Sequence, residues 1–154
     1  MKAGLTFFSL AALALWLAYC TTSKPTTAAS SDPDAPERAK YIERVKRDIA
    51  GQENLPADSV FLNVTVLKKI PAERLLTIMD HWGQALGVSC DHCHVNNEWA
   101  SEVKPPKEIA RQMIALTTGI NKDIASIKAI KSDDPGVSCY TCHRGDVTPR
   151  RNPK

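Results

Sequence analysis

The sequence predicts a mainly α-helical, single-domain protein on three grounds. Apolar residues recur at helical spacing in three separate stretches. Three Phe, three Trp and three Tyr in 154 residues are few for a core of this size, so something besides side chains has to fill it. Four of the five cysteines fall into two short repeats of one pattern, each following an apolar helical stretch. The length allows one domain and not two. Charged residues make up 24%, and Gly and Pro number 7 and 10, which excludes a charge-driven or low-complexity disordered chain. A net charge of +3 with no Lys/Arg block argues against a nucleic-acid partner.

In chain order, Lys2 precedes an uncharged apolar run from Leu5 to Ala18. The run is too short for the roughly 20 residues of a membrane span, and it reads as a secretory signal over residues 1–19. The chain is therefore expected to be exported, to the periplasmic side of a membrane. Cys20 stands where a lipoprotein signal places its lipidated cysteine. Tyr19 is bulkier than that site favours, so cleavage nearer Ala29 and an uncleaved anchor are the alternatives. Residues 20–36, rich in Thr, Ser, Ala and Pro without apolar period, read as a flexible tether, leaving 37–154 as the folded domain.

Glu37 to Gln52 reads as an amphipathic helix with Tyr41, Ile42, Val45 and Ile49 on one face. Ser59 to Leu67, SVFLNVTVL, reads as a short strand or extended segment. After Pro71, the residues Leu75, Ile78, Met79, Trp82 and Leu86 form a helical stripe that Gly87 ends. A second long helix follows Pro105-Pro106, with a stripe of Ile109, Met113, Leu116, Ile120, Ile124 and Ile127. Asp133 to Gly136 reads as a turn. The tail VTPRRNPK reads as a frayed terminus, its Arg150 and Arg151 being candidates for docking an acidic partner.

The two cysteine repeats are Cys90-Asp91-His92-Cys93-His94 and Cys139-Tyr140-Thr141-Cys142-His143. The pattern C-x-x-C-H attaches c-type haem. Two thiols three positions apart on one turn can add to the two vinyl groups of one porphyrin, and the adjacent His then reaches the iron as proximal ligand. Gly87-Val88-Ser89 before the first motif recurs as Gly136-Val137-Ser138 before the second, an internal repeat. Two zinc-ribbon knuckles are the main rival. Ribbons place roughly 15–20 residues between pairs, far fewer than separate Cys93 from Cys139, and zinc would leave both His residues unexplained. Disulfides and a thioredoxin-like redox pair are weaker rivals. The expectation is two covalently bound haem c groups per chain, clamped by Cys90, Cys93, Cys139 and Cys142, with His94 and His143 as proximal ligands.

An electron-transfer haem normally takes Met or His as its sixth ligand. Met79 and Met113 each precede one motif on a helix stripe, where periodicity alone fits core filler as well as ligation. His81 is the rival, about 200° round the helix from Met79. His92 is expected to face solvent. Arg144 is a candidate partner for a haem propionate, with a plain surface Arg as the alternative.

Together, Val64 to Leu67, Pro71-Ala72, the Met79 helix, Cys90 to His94, Asn97 to Ala100, Ile109 to Met113 and Cys139 to Gly145 resemble the cytochrome c subunit of photosynthetic reaction centres. The similarity covers about residues 60 to 149, and the run CYTCHRG is particularly close. Members of that family are tetrahaem lipoproteins that re-reduce the photo-oxidised chlorophyll pair. Their Met-bearing helices each run parallel to a haem plane and lead through a turn to C-x-x-C-H, and their haems pair by a local two-fold. The resemblance implies a small multihaem c-type cytochrome domain with Met79 and Met113 as distal ligands. This chain departs in having two motifs, as in one haem-pair half of the family. It also has no His between Asn121 and Lys131, where the family places the ligand of a fourth haem.

These residues point to an exported dihaem electron carrier between membrane-associated and soluble redox partners, with a photosynthetic reaction centre or other membrane redox complex as a candidate partner. A small peroxidase- or reductase-type haem enzyme with one labile sixth ligand is the alternative, against which stands the lack of an evident distal acid–base set. A structural subunit of a larger haem assembly is a third reading. Four propionates would also carry the modest positive charge of the polypeptide to near neutral or negative.

Overall fold

The computed structural model describes residues 32–152, so the leader, Cys20 and the tether as far as residue 31 lie outside the described residues. Five α-helices follow in order: α1 (Ala35–Asp48), α2 (Ala57–Val60), α3 (Ala72–Leu86), α4 (Pro105–Ser126) and α5 (Cys139–His143). A single 3₁₀ turn over Cys90–His92 carries the first motif, between α3 and α4. Among the described residues there is no β-strand, and strand-like pairing is limited to isolated bridges, Pro56 with Pro71 and Val95 with Glu98.

Local chemistry sets the helix ends. In α1, Pro lies in the first turn with Glu37, while Lys46 and Arg47 occupy the last, each charge opposing the helix dipole. The helix starts two residues before the expected Glu37 and stops at Asp48 rather than Gln52. Pro71 caps α3, and Gly87 ends it in the left-handed region (φ 64), where it costs no Cβ strain. Pro105 and Pro106 open α4, which ends at Ser126, short of the expected Ile130.

The strand expected at Ser59–Leu67 is not formed. Its first residues join the short α2, and the chain then runs irregularly through Asn63 (φ 63) and Leu67 (φ 58), both in the left-handed region. With no partner strand in reach, extended backbone there would leave its ladder groups unpaired. The segment instead closes as a loop whose ends are pinned by Ala57 N–H to Ile70 O (2.8 Å), Asp58 N–H to Lys68 O (3.1 Å) and Ala72 N–H to Leu55 O (2.9 Å).

The buried apolar cluster is small. Val45 and Ile49 of α1 meet Ala72 and Leu76 of α3, with Ile42, Val60, Phe61 and Trp99 packed around them. Helix α4 contributes nothing to it: none of its residues is buried, and Ile109, Leu116, Ile120 and Ile127 of its expected apolar stripe are exposed. It hangs instead from both ends. Near its start, Arg111 donates to both oxygens of Glu102 (2.7 and 2.6 Å), and Lys107 donates to the carbonyls of Trp99 and Ser101 (each 3.0 Å). The Arg111 guanidinium, helped by Lys107, holds the exposed Glu102 carboxyl down at about 2. Near its far end, Asn121 grips the backbone of Val137.

One buried charge ties the other helices together. Arg38 of α1 is 2% exposed. Its Nε donates to Asp80 of α3 (2.8 Å), one terminal nitrogen donates to Asp32 (3.2 Å) and to the carbonyl of Val88 (3.2 Å), and the other donates to Asp32. Gly83 leaves room for it: a Cβ there would stand 2.5 Å from Arg38 Cδ. The hydrogen bonds from Arg38 lower the Asp32 carboxyl below its ordinary value of 3.8.

Replacing Arg38 by Met should lower the unfolding free energy of the protein by on the order of 2–3 kcal/mol in urea melts near neutral pH, since it strips charged hydrogen bonds from a buried network. The Asp32 share of that stability exists only above the carboxyl's unfolded value and disappears as pH falls through its depressed folded value. The gap between Arg38→Met and wild type should therefore narrow in melts below about pH 3.8.

Candidate haem site

The residues picked out by the two motifs converge on one cavity of about 410 Å³, within the usual range for small-molecule sites. Met79 from α3 and Met113 from α4 both line it, as do Cys90, Cys93 and His94 of the first motif and Cys139 and His143 of the second. The remaining walls come from α1 through Tyr41, Ile42 and Val45, and from the irregular loop through Phe61, Val64 and Val66. That loop covers one face of the cavity. Cys142 is the exception among the motif cysteines and histidines. It is exposed and does not line the cavity.

Both motif histidines are oriented by the same device. His94 Nδ1 lies 3.2 Å from the carbonyl oxygen of Trp99, and His143 Nδ1 lies 3.0 Å from that of Asp146. A carbonyl can only accept, so each ring carries its proton on Nδ1 and keeps the Nε2 lone pair for a metal. Burial pushes the His94 imidazole below its ordinary range, which favours the neutral, ligating form. Its ring meets the Trp99 indole edge-on at 5.7 Å, and Trp99 in turn meets Tyr41 of α1 at 5.8 Å.

The donor set suits a covalently clamped haem. The four motif thiols are free, and burial raises those of Cys90, Cys93 and Cys139 above the ordinary thiol range. Among the described residues no three His, Cys, Asp or Glu side chains cluster as a metal site. Ser89, next to Cys90, also lines the cavity, and its buried hydroxyl has no hydrogen-bond partner.

The two motifs are locked to each other through backbone. Gly145, just past the second motif, donates its N–H to the carbonyl of Ala85 in α3 (2.8 Å). A Cβ on Gly87 would fall 2.3 Å from the Gly145 carbonyl oxygen, so only glycine lets the two backbones touch. The second motif forms the short α5, where Ser138 and Thr141 make a capping box. In the first motif His92 occupies the position of Thr141, and Ser89 is left without that partner.

Other expected residues are distributed as follows. His81 is exposed and borders a second cavity of about 400 Å³ between α3, α4 and the start of α5, which shares Trp82, Ile114 and Cys139 with the main one and is not lined by Met79. His92, expected to face solvent, is half-buried and lines the main cavity, because it ends the 3₁₀ turn, whose middle residue Asp91 is the one turned outward. Arg144 is exposed, with its backbone in the left-handed region (φ 52). Sequence reasoning missed Asn121, whose side chain makes two hydrogen bonds to Val137. Its signal was a weak helix former placed inside a helical stretch, one position after the stripe residue Ile120.

Comparison with known proteins places this geometry in context. The family model described as "Photosynthetic reaction centre cytochrome C subunit" matches residues 20–152. The photosynthetic reaction center cytochrome c subunit of Thermochromatium tepidum is 30% identical over 126 residues, covering 71% of this chain and 30% of that protein. The corresponding subunit of Rubrivivax gelatinosus is 31% identical over 109 residues, 69% of this chain and 28% of its own length. Cytochrome c-554 of Chloroflexus aurantiacus is 33% identical over 95 residues, 61% of this chain and 23% of that protein. The chain thus spans under a third of the length of these curated relatives.

Gly87→Ala should separate the two motifs. The added methyl both meets the Gly145 carbonyl and forces a left-handed φ on a residue with a Cβ. A loss of more than about 1 kcal/mol in urea unfolding is expected, whereas Gly119→Ala, where a Cβ meets nothing within 4 Å, should not destabilise the protein.

Proposed function

The chain belongs to the photosynthetic reaction centre cytochrome c subunit family, and we propose that it is an exported dihaem c-type cytochrome carrying single electrons between membrane-associated and soluble redox partners. The observation that carries this reading is the convergence of both Cys-x-x-Cys-His motifs and both methionines on one cavity, with each motif His oriented by a backbone carbonyl. When bound, haem supplies an iron that cycles between ferric and ferrous states. Cys90 with Cys93, and Cys139 with Cys142, would hold one porphyrin each by thioether bonds. His94 and His143 would ligate iron through Nε2, and Met79 and Met113 would each supply a thioether sulfur. Such a ligand set would leave no position for substrate and would favour the reduced state.

The apolar walls from α1, α3 and the 57–70 loop keep water from the first motif's side. The second motif is the more open: Cys142 is exposed and Tyr140 is 57% exposed. That edge is the natural place for electrons to enter or leave. A photosynthetic reaction centre is the candidate membrane partner, because the relatives are named as its subunits. No helix among the described residues is long and apolar enough to cross a membrane. Attachment would fall to a lipid on Cys20, with residues 20–36 as tether, on the periplasmic side.

Met79→Ala and Met113→Ala variants of the holo-protein test this. The wild type should show Met-to-iron charge-transfer absorption from two ferric haems and no carbon monoxide binding when reduced. Each variant should lose half of that absorption, lower the potential of one haem in a redox titration, and bind one carbon monoxide per chain. Carbon monoxide binding by the unmodified protein would contradict the carrier assignment and favour an enzyme.

A further inference from the structure

We propose that Asn121 is the positioning residue that holds Met113 over the second Cys-x-x-Cys-His motif, an inference that rests on the dihaem reading above. Its side chain closes a two-point clamp on the backbone of one residue, Val137. Oδ1 accepts from Val137 N–H at 2.7 Å, and Nδ2 donates to Val137 O at 3.0 Å. Val137 lies two residues before Cys139, and Asn121 lies eight residues after Met113 on the same helix, about 12 Å along its axis. The clamp therefore spans the gap between the helix that carries the methionine and the motif that carries the cysteines and histidine.

Among the described residues no other side-chain hydrogen bond joins α4 to the second motif. Helix α4 buries no residue and makes no extensive contact with another helix. Its start is fixed by the Arg111 and Lys107 network to the 99–102 segment, which belongs to the first motif's surroundings. From the end of α4 the chain takes an irregular course through Asp133-Asp134-Pro135 before the second motif begins. A connection of that length sets no distance by itself. Met113 thus sits between two anchors, and the Asn121 clamp is the one that reaches the second motif.

Two further observations agree. A Cβ on Gly136 would lie 3.1 Å from Asn121 Oδ1, so the glycine of the repeated Gly-Val-Ser leaves space for the clamp. The first copy of the repeat is held in the same place by another residue: the carbonyl of Val88 accepts from Arg38, and its N–H donates to Gly83 O. In both copies a polar side chain from an upstream helix fixes the valine before the cysteines. In the second copy that helix also bears the methionine.

The experiment uses full-length holo-protein carrying Asn121→Leu or Asn121→Asp, with Met113→Ala as the reference for a lost second ligand. Leu keeps the volume and removes both hydrogen bonds. Asp keeps an acceptor for Val137 N–H and sets a carboxylate oxygen against Val137 O, so it serves if the Leu variant does not fold. Asn121→Leu should lose half of the Met-to-iron absorption and bind one carbon monoxide per chain, as Met113→Ala does, while the potential of the other haem stays put. Asn121→Asp should show the same one-haem pattern in a fraction of the molecules. Met absorption undiminished in both variants, or lost equally from both haems, would overturn the proposal. Fewer than two Met-ligated haems in the wild type would instead show that the dihaem reading, and the proposal with it, is wrong.

Discussion

The polypeptide cannot supply its own core, and the arrangement of its helices follows from that. The buried apolar side chains among the described residues are Val45, Ile49, Leu75 and Leu76, with Ala57, Ala72 and Ala85. Four larger side chains and three alanines are a small buried set for a domain this long. The apolar residues that would normally close a core, among them Phe61, Val64, Met79 and Met113, turn instead toward a shared cavity. Covalently bound haem c would answer this shortage, because it brings flat apolar surface that thioether attachment would keep in a domain too small to enclose it otherwise. The small count of aromatic residues is the same fact seen in composition.

Around that cavity the polar interactions serve as rivets between elements rather than as a surface coat. Arg38 fastens α1 to α3 and to Val88 ahead of the first motif. Asn121 fastens α4 to Val137 ahead of the second. Glycine makes the last joint, where Gly87 and Gly145 meet backbone to backbone and Gly145 N–H reaches Ala85 O. The consequence for function is a fixed relation between the two motifs. An electron carrier gains from it, because little reorganisation then accompanies each change of oxidation state, and transfer within the chain runs over an unchanging path.

What the sequence made legible was chemistry tied to short spacing. The C-x-x-C-H repeats, the Pro71 and Pro105 starts and the Gly87 stop are written within a few residues of one another, and the local physics that sets them does not depend on the rest of the fold. Contacts between distant residues were not legible. Arg38 finds Asp80 and Val88 far along the chain, and a hydropathy pattern files such an Arg with the surface. Of the expected α4 stripe, Ile109, Met113, Leu116, Ile120, Ile124 and Ile127, only Ile109 and Met113 line the main cavity, and Leu116, Ile120 and Ile127 are exposed, while Ala110 and Ile114 also face that cavity and Thr117 and Asn121 the smaller one. Periodicity records which residues are apolar, and here the inward face is partly polar because it bonds to backbone. The SVFLNVTVL segment failed as a strand for a similar reason: alternation describes one chain, but a strand needs a partner.

The central claim is that each chain carries two covalent haems, one per motif, and the mass of the purified mature protein after denaturation tests it most directly. The account predicts the polypeptide plus two haem c groups, retained through acid extraction. A mass corresponding to one haem or none, or haem released by acid extraction, would contradict it.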